Sequence, residues 1–300
     1  MSEVTPQLAA AAAGVLLVAH PERAVLAVTG ADRQTWLNGL VTNDVAKLAV
    51  GGASYGLAVS QKGRIMADMV VLLEPERVLL VVPGAASAEL RAHFEKYLIM
   101  EDVEVRETEL AVLFAHGPRS AELLALAKAK GAHAALLDTT GLGGAVVLGE
   151  ANLDLAEDVA SLGGVVGDPA GWEALRLGHG IPAYGHDFDR STYPQEAGLE
   201  RRAVSFDKGC YLGQEVVCML EMRGHVKRKL VPVLLDPGAT ASAGASVVDS
   251  TGAEVGKLTS VALHPDLKRA VGLAMVKLAQ TEVDTALRVG EASARVFAPA

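Results

Sequence analysis

The chain holds only two cysteines, Cys210 and Cys218, too few for the disulfide framework of a small secreted protein. On one helix they would stand ~12 Å apart along the axis, out of disulfide reach, so they read as separate thiols. Aromatic residues make up 4%, which leaves little material for a base-stacking platform or an aromatic-rich carbohydrate site. No apolar run approaches the ~20 residues that span a bilayer. A net charge of -9, from 27 basic and 36 acidic residues, argues against direct nucleic-acid binding while leaving room for a local basic pocket. The signatures GxxxxGK[ST], HExxH, CxxC and GxSxG are missing, and with them the common phosphate-loop, zinc-protease, redox and hydrolase readings. Gly141-Leu142-Gly143-Gly144 comes nearest to a nucleotide fingerprint, but a strand-like run follows it where a helix should, so it reads as a turn. The eight histidines are scattered, and His179 and His186 lack a third ligand at metal spacing, so no metal site is expected.

What is present is a large core. Of 300 residues, 50% are hydrophobic and 21% charged, enough for two or three packed units of a compact protein. The apolar stretch at 9–19 lacks the preceding positive charges of a signal peptide and reads as a first helix, which points to a cytoplasmic protein. Strand-like runs at 24–28, 57–59, 69–73, 78–82, 103–105, 111–114 and 145–148 alternate with helical patterns at 33–40, 86–98 and 120–130. Asp168-Pro169 is a helix start, with a capping carboxylate before a proline whose missing N–H costs nothing. From about 228 onward, five short strand-like runs separated by Gly, Pro and Asp turns suggest a small antiparallel barrel. The whole reads as α+β, with a division near residues 226–227.

Three clusters hold candidate chemistry. Lys208-Gly209-Cys210-Tyr211-Leu212-Gly213-Gln214-Glu215 sets a thiol among a cation, an amide and a carboxylate. A helix opening near Gly213, with Lys208 close by, would favour the Cys210 thiolate; a small buried cysteine in a turn is the plainer alternative. Cys218, within an apolar stretch, reads as packing. In the second cluster, residues 61–68, Asp68 follows a turn into a strand, where it would hold a proton or a ring N–H, or simply pair with Arg64. The third, Arg223-Gly224-His225-Val226-Lys227-Arg228-Lys229, would attract an anionic ligand tail or a partner, or form a solvated linker.

At these motifs the chain resembles the YgfZ family of folate-binding proteins, relatives of the glycine cleavage T-protein (aminomethyltransferase). KGCYLGQE (208–215) carries the resemblance, supported by TWLNGLVTND (35–44), QKGRIMAD (61–68), KYLIMEDVEV (96–105), LRLGHGIPAYGHD (175–187), PQEAGLE (194–200) and GKLTSVALHP (256–265). It implies a T-protein-like ring around a central channel: a folate-binding α/β region of two interleaved, ferredoxin-like lobes over 1–226, and a C-terminal β-barrel over 227–300. It also implies a tetrahydrofolate-type ligand and a role in assembling or repairing iron–sulfur enzymes, tRNA-modifying ones included, with such enzymes or their assembly factors as partners. Carried over residue by residue, Cys210 is the functional thiol and Asp68 the second catalytic candidate. Tyr55, Asp68, Lys208, Gly209, Tyr211, Gln214, Glu215 and Arg223 are the ligand-contact candidates. The alternatives are an aminomethyltransferase of the glycine cleavage type and a scaffold without ligand. Two cysteines cannot supply the four ligands of a conventional cluster. Gly178 stands where T-proteins carry a glutamate, Ala67-Asp68 where they carry paired acids, and Met219 where YgfZ relatives are expected to carry arginine.

Overall fold

A computed structural model describes residues 4–224 and 226–299. Two five-stranded sheets and a closed six-stranded barrel make up the protein. The first sheet runs, in spatial order, Ala53–Val59, Ile65–Leu73, Val78–Pro83, Arg23–Thr29 and Glu104–Thr108, antiparallel throughout. The second runs Val165–Val166, Leu16–Ala19, Ala111–His116, Gly144–Gly149 and His133–Leu136, antiparallel except for the pair at its Val165–Val166 edge.

Strand composition follows from the layering. Every residue of Val78–Pro83 is buried, because one face meets helices and the other meets the second sheet, and a strand covered on both faces reads as a continuous apolar run. On the outer side, Leu26, Val28, Met69, Val71 and Leu80 pack against Trp36 and Leu37 of helix Arg33–Asn38 and Leu90 and Phe94 of helix Gly84–Glu95. On the inner side, Val25, Val70, Leu79 and Val81 meet Val112, Val146 and Leu148 of the second sheet. Helices Ser120–Ala129 and Ala156–Ser161 cover the far face of that sheet. The result is four layers, helix–sheet–sheet–helix.

The first helix expected over 9–19 is corrected: a helix covers Val4–Ala13 and a strand Leu16–Ala19. Gly14 makes the break, since a Cβ there would lie 2.4 Å from the Gly163 carbonyl oxygen. The Asp168 cap is as the sequence predicts, its Oδ1 accepting the Gly171 N–H at 2.8 Å to open helix Pro169–Gly178.

The barrel closes in the order Arg228–Leu235, Arg269–Lys277, Glu254–His264, Ser246–Val248, Ala286–Val289, Ala292–Val296. Its seam with the α/β body is polar. Arg176, 1% exposed, donates to Glu173 at 2.6 and 2.8 Å, to Asp187 at 2.8 Å and to the barrel's Ser260 at 3.0 Å. Thr259 donates to the other Asp187 oxygen at 2.5 Å. A charge this deep is tolerable only because its donors are filled, and those bonds fix helix Pro169–Gly178 between the barrel and the sheets.

Candidate functional site

The inner faces of the two sheets do not stay in contact over their whole length. Beyond their shared apolar core they bound a cavity of about 700 Å³, closed by helix Pro169–Gly178 and the loop through Tyr184. This is a volume suited to a drug-sized or cofactor-sized molecule.

Strand pairing delivers the charged group of the first sheet to that cavity. Asp68 pairs with Leu57, and Tyr55 pairs with Val70, so Tyr55 and Asp68 are diagonal neighbours on one face. Arg23 lies two residues before Val25 on the next but one strand, with its side chain toward the same face. The three side chains meet there. Arg23 grips both Asp68 oxygens at 2.9 Å, and the Tyr55 hydroxyl donates to Oδ2 at 3.0 Å. Burial, reinforced by the Asp68 charge, raises the Tyr55 phenol well above its ordinary value, so it remains a donor. Burial opposes the Arg23 charge, but Asp68 outweighs it, and the guanidinium is held protonated more firmly than usual. The partner of Asp68 is therefore Arg23 and not Arg64, whose guanidinium lies over the Tyr193 ring, 4.4 Å from its centroid.

The second sheet contributes rings. Phe114 and His116, two apart on strand Ala111–His116, face the cavity together with Trp172 and with His20, just past strand Leu16–Ala19. His116 stacks on Trp172, with centroids 4.7 Å apart at 12°, and His20 stands edge-on to Phe114 and Trp172 at 5.1 and 5.4 Å. Tyr55 and Tyr184 also line the space. Four of the chain's twelve Phe, Trp and Tyr residues, namely Tyr55, Phe114, Trp172 and Tyr184, thus line one cavity.

KGCYLGQE lies elsewhere. Of the sequence candidates only Tyr55 and Asp68 line the cavity; Lys208, Gly209, Cys210, Tyr211, Gln214, Glu215 and Arg223 are outside its wall. The expected Lys208–Cys210 pairing is corrected. Lys208 is buried and gives all three N–H donors to the carbonyls of Asn38, Val41 and Asn43, at 2.6, 2.8 and 2.7 Å. Burial draws its ammonium down to about 8. Tyr211 enters the core beside Leu57 and Val59, and burial raises its phenol. Gly213 takes φ +78 with the site of a Cβ 2.4 Å from the Ser60 carbonyl oxygen, a position only glycine fills without strain. It caps helix Gln214–Arg223, so a helix does open where the sequence placed one. Gly209 and Cys210 are exposed on this anchored loop, Gln214 is half-buried, and Glu215 and Arg223 are exposed. Cys218 is half-buried, and burial raises its thiol.

Two cations of the basic run are neutralised: Arg228 pairs with Glu196 at 3.0 Å and Lys229 with Glu200 at 2.9 Å. His225 of that run lies outside the described residues. At Gly178, a Cβ would meet the His264 ring at 2.8 Å, so an imidazole occupies the space next to the missing acid. Met219 is 41% exposed on the surface of its helix.

Sequence reasoning missed Arg23, His20, His116 and Trp172. Arg23 and His116 share the parity of the buried residues beside them, Val25 and Val112, but only the sheet-on-sheet packing shows what that face confronts.

Comparison with known proteins agrees with this architecture. The model of the GCVT N-terminal domain matches residues 8–139 and that of the glycine cleavage T-protein C-terminal barrel domain matches residues 228–299. An aminomethyltransferase of Thermotoga neapolitana is 31% identical over 88% of this chain and 78% of its own length, and one of Rubrobacter xylanophilus is 29% identical over 88% and 76%. The crystal structure of the glycine cleavage system aminomethyltransferase T of Bartonella henselae superposes with a TM-score of 0.82 at 21% identity, covering 98% of this chain and 88% of that one. The fold is thus the mixed α/β body and C-terminal barrel of a T-protein. The chain belongs to the glycine cleavage T-protein family. Among the described residues no helix is long and apolar enough to cross a membrane, and no group of His, Cys, Asp and Glu could hold a metal ion.

Proposed function

We propose that the protein binds a tetrahydrofolate-type ligand in the cavity between its sheets and acts there in aminomethyl transfer, the activity for which the relatives are named. The observation that carries this reading is the Asp68 carboxylate, 2% exposed, fixed by Arg23 and Tyr55 on the wall of a cavity of cofactor size. Oδ1 accepts one bond from Arg23, whereas Oδ2 accepts two. A carboxylate oxygen has room for two, so Oδ1 keeps a place for a folate N–H. In this role Asp68 orients the folate nitrogen toward the one-carbon unit. Calorimetric titration of tetrahydrofolate should give an affinity that falls roughly tenfold to a hundredfold in Asp68→Ala, the loss of one charged hydrogen bond. Equal affinity in the two proteins would remove Asp68 from the site. Turnover of an aminomethylated carrier protein by the wild type, and its loss in the variant, tests the transfer itself.

A second reading has its own support. Cys210 is exposed on a loop whose neighbours Lys208, Tyr211 and Gly213 are all fixed to the body, an arrangement that presents a thiol rather than burying one. It favours the folate-binding accessory role in iron–sulfur enzyme assembly, in the cytoplasm, with the cluster belonging to a partner. In that case Cys210→Ala abolishes support of an iron–sulfur enzyme in a complementation assay and leaves tetrahydrofolate affinity unchanged. Full complementation by Cys210→Ala would leave transfer as the sole reading.

A further inference from the structure

Two segments far apart in sequence, 175–187 and 256–265, meet behind the cavity wall. In strand Glu254–His264, Leu258 pairs with Ala274 and Ser260 with Leu273, so Thr259 is an extra residue without a partner of its own, a β-bulge. A regular strand sends neighbouring side chains to opposite faces. Here Leu258 belongs to the barrel core and Val261, three residues on, packs against that same core. The alternation therefore breaks between them, and the hydroxyls of Thr259 and Ser260 both reach out to the α/β body. Gly272, opposite Val261, makes room for the bulge: a Cβ there would lie 2.4 Å from the Ser260 carbonyl oxygen.

What the two hydroxyls meet is a buried ion pair. Thr259 donates to Asp187 Oδ1 at 2.5 Å, and Ser260 accepts from Arg176 at 3.0 Å. Asp187 is 2% exposed and Arg176 1%. Both stand behind the cavity wall, and both hold groups that form it. The other Asp187 oxygen accepts the Ala183 N–H at 2.9 Å, Arg176 donates to the Ile181 carbonyl at 3.0 Å, and it grips both Glu173 oxygens. With the Asp187 and Ser260 bonds, all five guanidinium donors are used. Glu173, Ile181 and Ala183 all line the cavity. An ion pair this deep gives little net stability over a well-packed apolar pair, so its bonds to the wall are the stronger reason for its presence.

We propose that Thr259 and Ser260 are positioning residues of the cavity: from the barrel, through Asp187 and Arg176, they hold Glu173, Ile181 and Ala183 in the geometry that receives a ligand. The proposal rests on the folate reading for the identity of that ligand, while the hold on the wall is measured without one.

Thr259→Val is nearly isosteric and lacks the donor. Hydrogen exchange followed by mass spectrometry should quicken roughly tenfold over 181–187, where the acceptor of the Ala183 N–H is no longer held from the barrel, and stay unchanged over 286–296 in the barrel itself. Calorimetric affinity for tetrahydrofolate should fall roughly fivefold to tenfold, and Thr259→Ser, which keeps the hydroxyl, should recover most of both effects. Thermal melts establish that each variant is folded; should Thr259→Val not fold, Ser260→Ala, which takes an acceptor from Arg176, carries both readings. Quickened exchange that extends to 286–296 would make the bond merely structural and overturn the proposal. So would an unchanged affinity of Thr259→Val for tetrahydrofolate where the wild type binds it, and a loss of affinity in Asp68→Ala would then leave the folate site standing. Quickened exchange confined to 181–187, with no binding of tetrahydrofolate by the wild type, upholds the barrel's hold on the wall and overturns the folate reading.

Discussion

Lys208→Met should lower the stability of the protein by about 3 kcal/mol, read as a shift in the denaturant midpoint at unchanged slope. Methionine matches the length of the lysine stem but has no donors. The carbonyls of Asn38, Val41 and Asn43, now served by one ammonium at 2.6–2.8 Å, would be left without it in a place where Lys208 itself is only 8% exposed. At about 1 kcal/mol for each buried bond lost, three bonds give the stated figure. The same ammonium joins two segments far apart in sequence, and the join is reinforced by Leu212 N–H to the Gly39 carbonyl at 3.0 Å and Ser205 N–H to the Thr42 carbonyl at 2.9 Å. The damage should therefore reach the loop that carries Cys210, and its thiol should be alkylated faster in the variant. A midpoint within experimental error of the wild type would mean that water takes the place of the ammonium and that the loop is held by Tyr211 and the two backbone bonds.

The contrast between Lys208 and Asp68 indicates how far the sequence can be read. Asp68 stands out within an apolar strand after a turn, and Tyr55 follows from the resemblance; both lie on the cavity, because alternation along a strand is a local property. The alternating strands and helices and the late run of short strands likewise announce an α/β body followed by a barrel. Lys208 and Cys210 are two residues apart, and the sequence invites a direct interaction between them. In an irregular loop that spacing carries no rule of facing, and the lysine turns inward to a turn 165 to 170 positions earlier. Arg23, His20 and His116 were illegible for another reason. Each sits at the end of an apolar strand segment, where solvent is the ordinary expectation, and the second sheet that makes the position interior is assembled from strands drawn from residues 16 to 166. Short strands such as His133–Leu136 carry too little pattern to announce that sheet.

Acid should expose the cost of the buried imidazole. In the unfolded chain His116 takes up a proton near its ordinary 6.5, but in the folded protein burial withholds it until about 3. Between those values the unfolded state binds more protons, so stability rises with pH across the window and is lost as pH falls through it. Integrated from 6.5 to 3, that single group accounts for about 4–5 kcal/mol at the acid end, with the loss beginning just below pH 6.5. The carboxylates of the protein add their own acid sensitivity, which the wild type shares with His116→Phe. The difference between the two unfolding free energies, measured by denaturant titration at pH 7, 5.5 and 4.5, isolates the histidine: the variant should lose less stability on acidification, with a gap that widens by roughly 1.4 kcal/mol for each unit below about 6. A gap that stays constant would mean that His116 charges in the folded state, which requires water to reach its nitrogens through the cavity.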